Sequence, residues 1–203
     1  MFTNRLIISG DGDAYEPAIT GLGDGRFLVV WEEDNRIWAR SVANSLPGAA
    51  IQLSSRPASQ ASTAGRYGQA YAVWREQEKQ HPAIRISRLV VDQKGTLNAS
   101  KSRPVESTDV NAPQLYPSIA ATAAGLVIAW EDRRAGHTRL LYSHSREGAS
   151  FAAPEELNEY LSNRNAYDKG NGVTRVALAA FGTEEVLAVW MDKRRSNKGY
   201  GIY

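Results

Sequence analysis

The chain has no cysteine, so disulfides and thiolate-held metals are excluded and stability must come from packing. Histidine is nearly as scarce. His81, His137 and His144 are the three present, and their scatter lacks the two- or three-residue ligand spacing of a zinc site. Asp11-Gly12-Asp13 has the start of a calcium loop without the remaining ligands at their intervals. No apolar run approaches the roughly 20 residues that cross a bilayer, and the stretch from Met1 to Ile8 is too short for a secretory signal. Export would therefore require a leader already removed, and the compartment stays open. Neither charge sign dominates: 24 basic against 22 acidic residues leave a net charge of +2, which lacks the clustered basic stripe of a nucleic-acid binder. Phosphate loops, nucleophile elbows and nucleotide fingerprints are missing too. The expectation is a protein without metal or cofactor and without a nucleic-acid or membrane partner.

What is present is a repeat. Four apolar runs each end in Trp with an acidic residue two places later: Phe27–Trp31 with Glu33, Tyr71–Trp74 with Glu76, Leu126–Trp130 with Asp132, and Val186–Trp190 with Asp192. Each run is short, follows a Gly-bearing turn and does not alternate with polar residues, which predicts a strand buried on both faces. A strand-like segment precedes each run, at 17–19, 60–62, 117–120 and 176–179. A more polar, alternating one follows, at 37–42, 84–89, 140–143 and 199–203. A fourth strand is expected around 50–53, 103–106 and 154–157, and the N-terminal Arg5–Ser9 has the character of the one that the last unit lacks.

The spacings from Trp to Trp are 43, 56 and 60 residues, and counting from Trp190 through both termini to Trp31 gives 44. A propeller blade is about 40–50 residues. The fold expected is all-β: a β-propeller of about four four-stranded blades in one domain, 1–203, with units near 10–54, 55–107, 108–158 and 159–203 plus 1–9. The ring would close by the N-terminal strand pairing with the last blade. A segment of a larger propeller and a β-sandwich are the alternatives.

The third unit reads Ala129-Trp130-Glu131-Asp132-Arg133-Arg134 and then Tyr142-Ser143-His144-Ser145-Arg146-Glu147-Gly148-Ala149-Ser150-Phe151. This resembles a blade of the sialidase-type, or Asp-box, propeller superfamily, with Arg146 and Glu147 where the turn Asp is usual. The resemblance covers most of the chain as a repeat and implies a fold; function has to be argued from a site.

Loops that join the second strand to the third share one face with the loops that lead into the first. That face would gather Asp11, Asp13, Tyr15, Glu16, Tyr116 and the stretch 160–172, together with Glu33, Asp34, Arg133, Arg134, Lys193, Arg194 and Arg195. Guanidinium groups and tyrosines suit a polar or glycan ligand through forked hydrogen bonds and stacking. The ligand-binding candidates are Arg133, Arg134, Arg194, Arg195, Tyr15, Tyr116 and Tyr167. Trp31, Trp74, Trp130 and Trp190, with Glu33, Glu76, Asp132 and Asp192, recur in every unit and read as structural. A sialidase-like reaction would need an arginine trio, a Tyr–Glu pair and an Asp acid, and no motif places them. The leading expectation is a non-enzymatic binding or scaffold module for a glycan or protein. The alternatives are a glycoside hydrolase, or part of one, and a domain that pairs with a copy of itself.

Overall fold

The computed structural model describes residues 5–106, 110–158, 172–194 and 199–203. Their regular structure is all strand, in four antiparallel sheets that stand as four blades of a β-propeller. Blade 1 is β1 (Ala14–Gly23), β2 (Arg26–Glu33) and β3 (Arg36–Ala43), with the short β4 (Leu46–Pro47) and β5 (Ile51–Gln52) both on β3. Blade 2 is β6 (Ala58–Arg66), β7 (Gln69–Gln77) and β8 (Pro82–Val91), with β9 (Leu97–Ala99) and β10 (Arg103–Pro104) on β8. Blade 3 runs β11 (Gln114–Ala121), β12 (Leu126–Asp132), β13 (Arg139–Ser145), β14 (Glu155–Glu156), and blade 4 runs β15 (Thr174–Phe181), β16 (Glu185–Asp192), β17 (Gly201–Ile202).

The Trp-terminated runs are the second strands, and the continuous apolar character of β7 and β12 has a simple cause: both faces are covered by neighbouring blades, whereas β2 and β16 each meet a neighbouring blade on one face. Leu28 and Val30 of β2 pack with Ala70, Ala72 and Trp74 of β7. The opposite face of β7, Tyr71 and Val73, packs with Leu126, Ile128 and Trp130 of β12. Ala129 of β12 then meets Val176, Leu178 and Trp190 of blade 4. Trp74, Trp130 and Trp190 therefore each point back at the preceding blade. First strands pack side by side, β1 on β6, β6 on β11 and β11 on β15. Where β1 meets β6 the backbones nearly touch: a Cβ on Gly65 would collide with the Gly21 carbonyl.

The acidic residue of each repeat has a local partner. The indole N–H of Trp31 donates to Glu33 at 2.7 Å, that of Trp74 to Glu76 at 3.1 Å and that of Trp130 to Asp132 at 3.1 Å. In blade 4 the Trp190 indole nitrogen has no partner and Asp192 is held by Arg194 instead. In the Asp-box-like turn of blade 3, Ser145 Oγ accepts the Gly148 N–H at 2.9 Å, with Gly148 at φ +70°. That serine supplies a turn bond in a segment where Arg146 stands in the usual Asp position.

Closure of the ring by the N-terminal segment needs correction. Residues 5–9 form no strand and are absent from the sheet of β15, β16 and β17. Leu6, Ile7, Ile8 and Ser9 instead line a cavity of about 360 Å³ over Val29 and Trp31, while Glu33 accepts the backbone N–H groups of Gly10 and Gly12 at 3.0 and 2.9 Å. Trp31 points away from blade 2, and residues 6–9 lie over that side of its indole, which is buried, in place of reaching across to blade 4. Among the described residues no packing comparable to that between successive blades joins β15 to β1.

The fully buried Trp74 should be far more costly to remove than the half-buried, unbonded Trp190. We predict that Trp74→Ala destabilises the chain by about 3–5 kcal/mol, and that Trp190→Ala costs clearly less. Urea unfolding of the two variants checks this, and equal losses would contradict the packing order described.

Candidate functional site

Each first strand carries a β-bulge at the same place. The pairing with the second strand slips between Tyr15 and Ala18, Ser59 and Ser62, Leu115 and Ser118, and Thr174 and Ala177. Inside the slips, Glu16, Gln60, Tyr116 and Arg175 have φ of +44°, +61°, +50° and +57°. A left-handed backbone is uncommon for residues with a Cβ and costs of order 1 kcal/mol or more. Four equivalent cases in four blades constitute a built feature. Bulges re-aim side chains out of the ladder, and here they sit on the mutually packed first strands, nearest the axis.

The bulge residues are linked across blades. Gln60 Oε1 accepts the Tyr116 N–H at 2.8 Å, and the Arg175 guanidinium lies 3.5 Å above the centre of the Tyr116 ring, a cation–π contact. The residue directly after each Trp faces the residue before the bulge: Glu32 opposite Tyr15, Arg75 opposite Ser59, and Glu131 opposite Leu115. Glu131 is buried and accepts the Thr174 hydroxyl at 2.5 Å and the Arg175 N–H at 2.9 Å. That carboxylate holds the blade 4 bulge in place. Arg75 donates to Ser59 Oγ at 3.1 Å and keeps a buried Nε without a partner.

Glu32 is the electrostatic exception. Burial raises its carboxyl above the ordinary glutamate range, and the nearby Glu16 carboxylate pushes the same way; the Gln60 backbone N–H and Arg75 only partly offset this. A half-buried carboxyl biased towards its protonated form, beside an exposed carboxylate, is the pairing that general acid–base chemistry uses. Among the described residues no group of three or more His, Asp or Glu could hold a metal ion.

The sequence candidates are distributed differently. Tyr116 belongs to the axial run. Tyr15 lies beside it, exposed, with its hydroxyl donating to the Asp13 carboxylate, a bond that raises the phenol's pKa. Arg134 forks onto Asp132 at 2.8 and 2.7 Å and onto Glu106 at 3.0 and 2.6 Å. Arg194 pairs with Asp192 at 2.7 Å and covers the Tyr203 ring at 3.8 Å. Arg194 thus braces its own blade, and Arg134 also ties blade 3 to Glu106, which follows β10 of blade 2. Arg133 is exposed on the β12–β13 turn, and Tyr167 and Arg195 lie outside the described residues. Sequence reasoning passed over Glu32, Gln60, Arg75, Glu131 and Arg175. A signal existed: Glu16, Gln60, Tyr116 and Arg175 precede the Trp of their units by 15, 14, 14 and 15 residues.

Asp132 supports an acid-stability prediction. Burial would push its carboxyl up, but the Arg134 guanidinium and backbone N–H and the Trp130 indole outweigh burial and hold it below the ordinary range. With a folded pKa below the unfolded value of about 3.9, its stabilisation is complete above that value and is lost as pH falls through the folded pKa. Asp132→Asn should cost about 1–3 kcal/mol at neutral pH and flatten this part of the acid dependence, read from urea midpoints at pH 7 and pH 3.

Comparison with known proteins adds the fold's relatives. No family model and no curated protein matches the sequence. Among solved structures, the GH93 α-L-arabinofuranosidase of Fusarium graminearum in complex with arabinobiose superposes at a TM-score of 0.60 and 13% identity, over 91% of this chain and 59% of that one. The Bacteroides ovatus xyloglucan PUL GH43B gives 0.54 at 16%, over 89% and 36%. An endo-1,4-β-xylanase of Bacteroides thetaiotaomicron gives 0.51 at 11%, over 91% and 67%. The chain thus spans less than two-thirds of the arabinofuranosidase it resembles. These neighbours correct the expectation of a non-enzymatic module: they are glycoside hydrolases, which favours the alternative reading. They are not sialidases, so the part of the sequence resemblance that stands is the propeller fold.

Proposed function

We propose that the chain acts on glycosides at the axial run of bulge residues, with Glu32 as proton donor to the departing sugar oxygen and Glu16 as its carboxylate partner. The observation that carries this reading is the raised Glu32 carboxyl beside Glu16 on the axial ends of blade 1. Glycoside cleavage needs one carboxyl protonated and a second ionised across the scissile bond, through a transition state with positive character on the sugar ring. Arg75 and Arg175 supply donors for sugar hydroxyls, and Glu131 is a positioning residue that fixes the Arg175 backbone. The fold likeness to an arabinofuranosidase and a xylanase supports pentose-containing glycans as the substrate class. The Asp-box-like turn of blade 3 would make a sialic acid glycoside the second substrate to try.

A panel of nitrophenyl α-L-arabinofuranosides and β-xylosides, arabinobiose and xylo-oligosaccharides tests the proposal. Glu32→Gln should lower kcat about 10²–10⁴-fold, the size of a general-acid contribution, with little change in unfolding midpoint. Because the donor must be protonated, kcat should fall as pH rises through the raised Glu32 pKa, and that limb should vanish in the variant. Absence of turnover on the whole panel, or full activity in Glu32→Gln, would overturn it.

A further inference from the structure

Among the described residues, both ends of the blade row expose apolar side chains, on surfaces that elsewhere in the chain meet each other. In β16 the residues three and one before Trp190 are Leu187 and Val189, 61% and 39% exposed. Their equivalents, Leu28 and Val30 in β2 and Tyr71 and Val73 in β7, are buried because each pair receives the next blade. Blade 1 turns the complementary face outward. Ile19 and Phe27 are 65% and 45% exposed, whereas Ile119 and Leu126, in the same register positions of blade 3, are buried against blade 2. One end therefore presents an uncovered receiving face and the other a docking face that is open at Ile19 and Phe27, beside the part where residues 6–9 lie over Val29 and Trp31.

We propose that these faces mate between copies of this chain, blade 4 of one molecule receiving blade 1 of a second. The contact continues an interface already used between blades 1 and 2, 2 and 3, and 3 and 4. Such a contact is heterologous, so it either closes into a ring or runs on as a filament. Two copies give eight blades, within the range of about four to eight that propellers use, and three copies exceed it. The assembly is a head-to-tail dimer with two identical contacts. Back-to-back pairing of two blade 4 faces would set two receiving surfaces together, which happens at none of the three contacts inside the chain.

Light scattering on the purified chain tests this. The expected mass is twice the 22.3 kDa of one copy. Phe27→Arg and Leu187→Arg alter exposed side chains at opposite ends, and each should weaken the dimer at least tenfold while leaving the circular dichroism spectrum unchanged. Mixed together, the two variants should regain dimer, because one of the two contacts in the mixed pair is then free of substitutions. A monomeric parent chain would sink the proposal, whether further blades or closure on itself cover the faces in that case. So would a dimer that ignores Phe27→Arg, the mark of back-to-back pairing. Neither result depends on glycosidase activity.

Discussion

The organising constraint is the double burial of the Trp-terminated strand. A strand covered on one face can alternate apolar with polar residues, but one wedged between two blades, as β7 and β12 are, cannot and must bury both sets of side chains. Leu28 and Val30 serve one contact while Val29 and Trp31 face the other way. The row of blades is held by this alternation of shared apolar layers. The indole bonds to Glu33, Glu76 and Asp132 follow from it, since a buried indole N–H left unpaired forfeits a hydrogen bond.

The same constraint decides where chemistry can happen. Inside the wedges every second-strand position is committed to packing, so polar function is displaced to the axial end, where the ladder breaks. There the bulges turn Glu16, Gln60, Tyr116 and Arg175 out of register, and the residues after each Trp emerge from the core beside them. Glu32 sits where the apolar layer ends and the axial face begins, and this partial burial, with Glu16 close by, is what raises its carboxyl.

The propeller was legible in the sequence because its signal is local and repeated. The third strands at 37–42 and 84–89 and the brief fourth strands near 51, 103 and 155 fall where the alternation and spacing put them. The axial run was less legible. A left-handed φ at a Gln, Tyr or Arg has no signature in residue type, unlike one at glycine, and only alignment on the Trp of each unit brings the four positions together. The arginines after Asp132 and Asp192 looked like ligand-facing groups because both lie in turns. Spaced two residues from the carboxylate along an extended chain, they fold back onto it and help neutralise a charge that burial would otherwise disfavour. Residues 5–9 read as a strand from their apolar character, yet that character serves to shelter Trp31.

The bulge frees its residue from the ladder of its own sheet. Since positions 16, 60, 116 and 175 contribute no rung to their sheets, an acid, an amide, a phenol and a guanidinium occupy them on one common scaffold. Variation on such a frame becomes modular: a single replacement per blade can rewrite the axial face without disturbing the strands that support it.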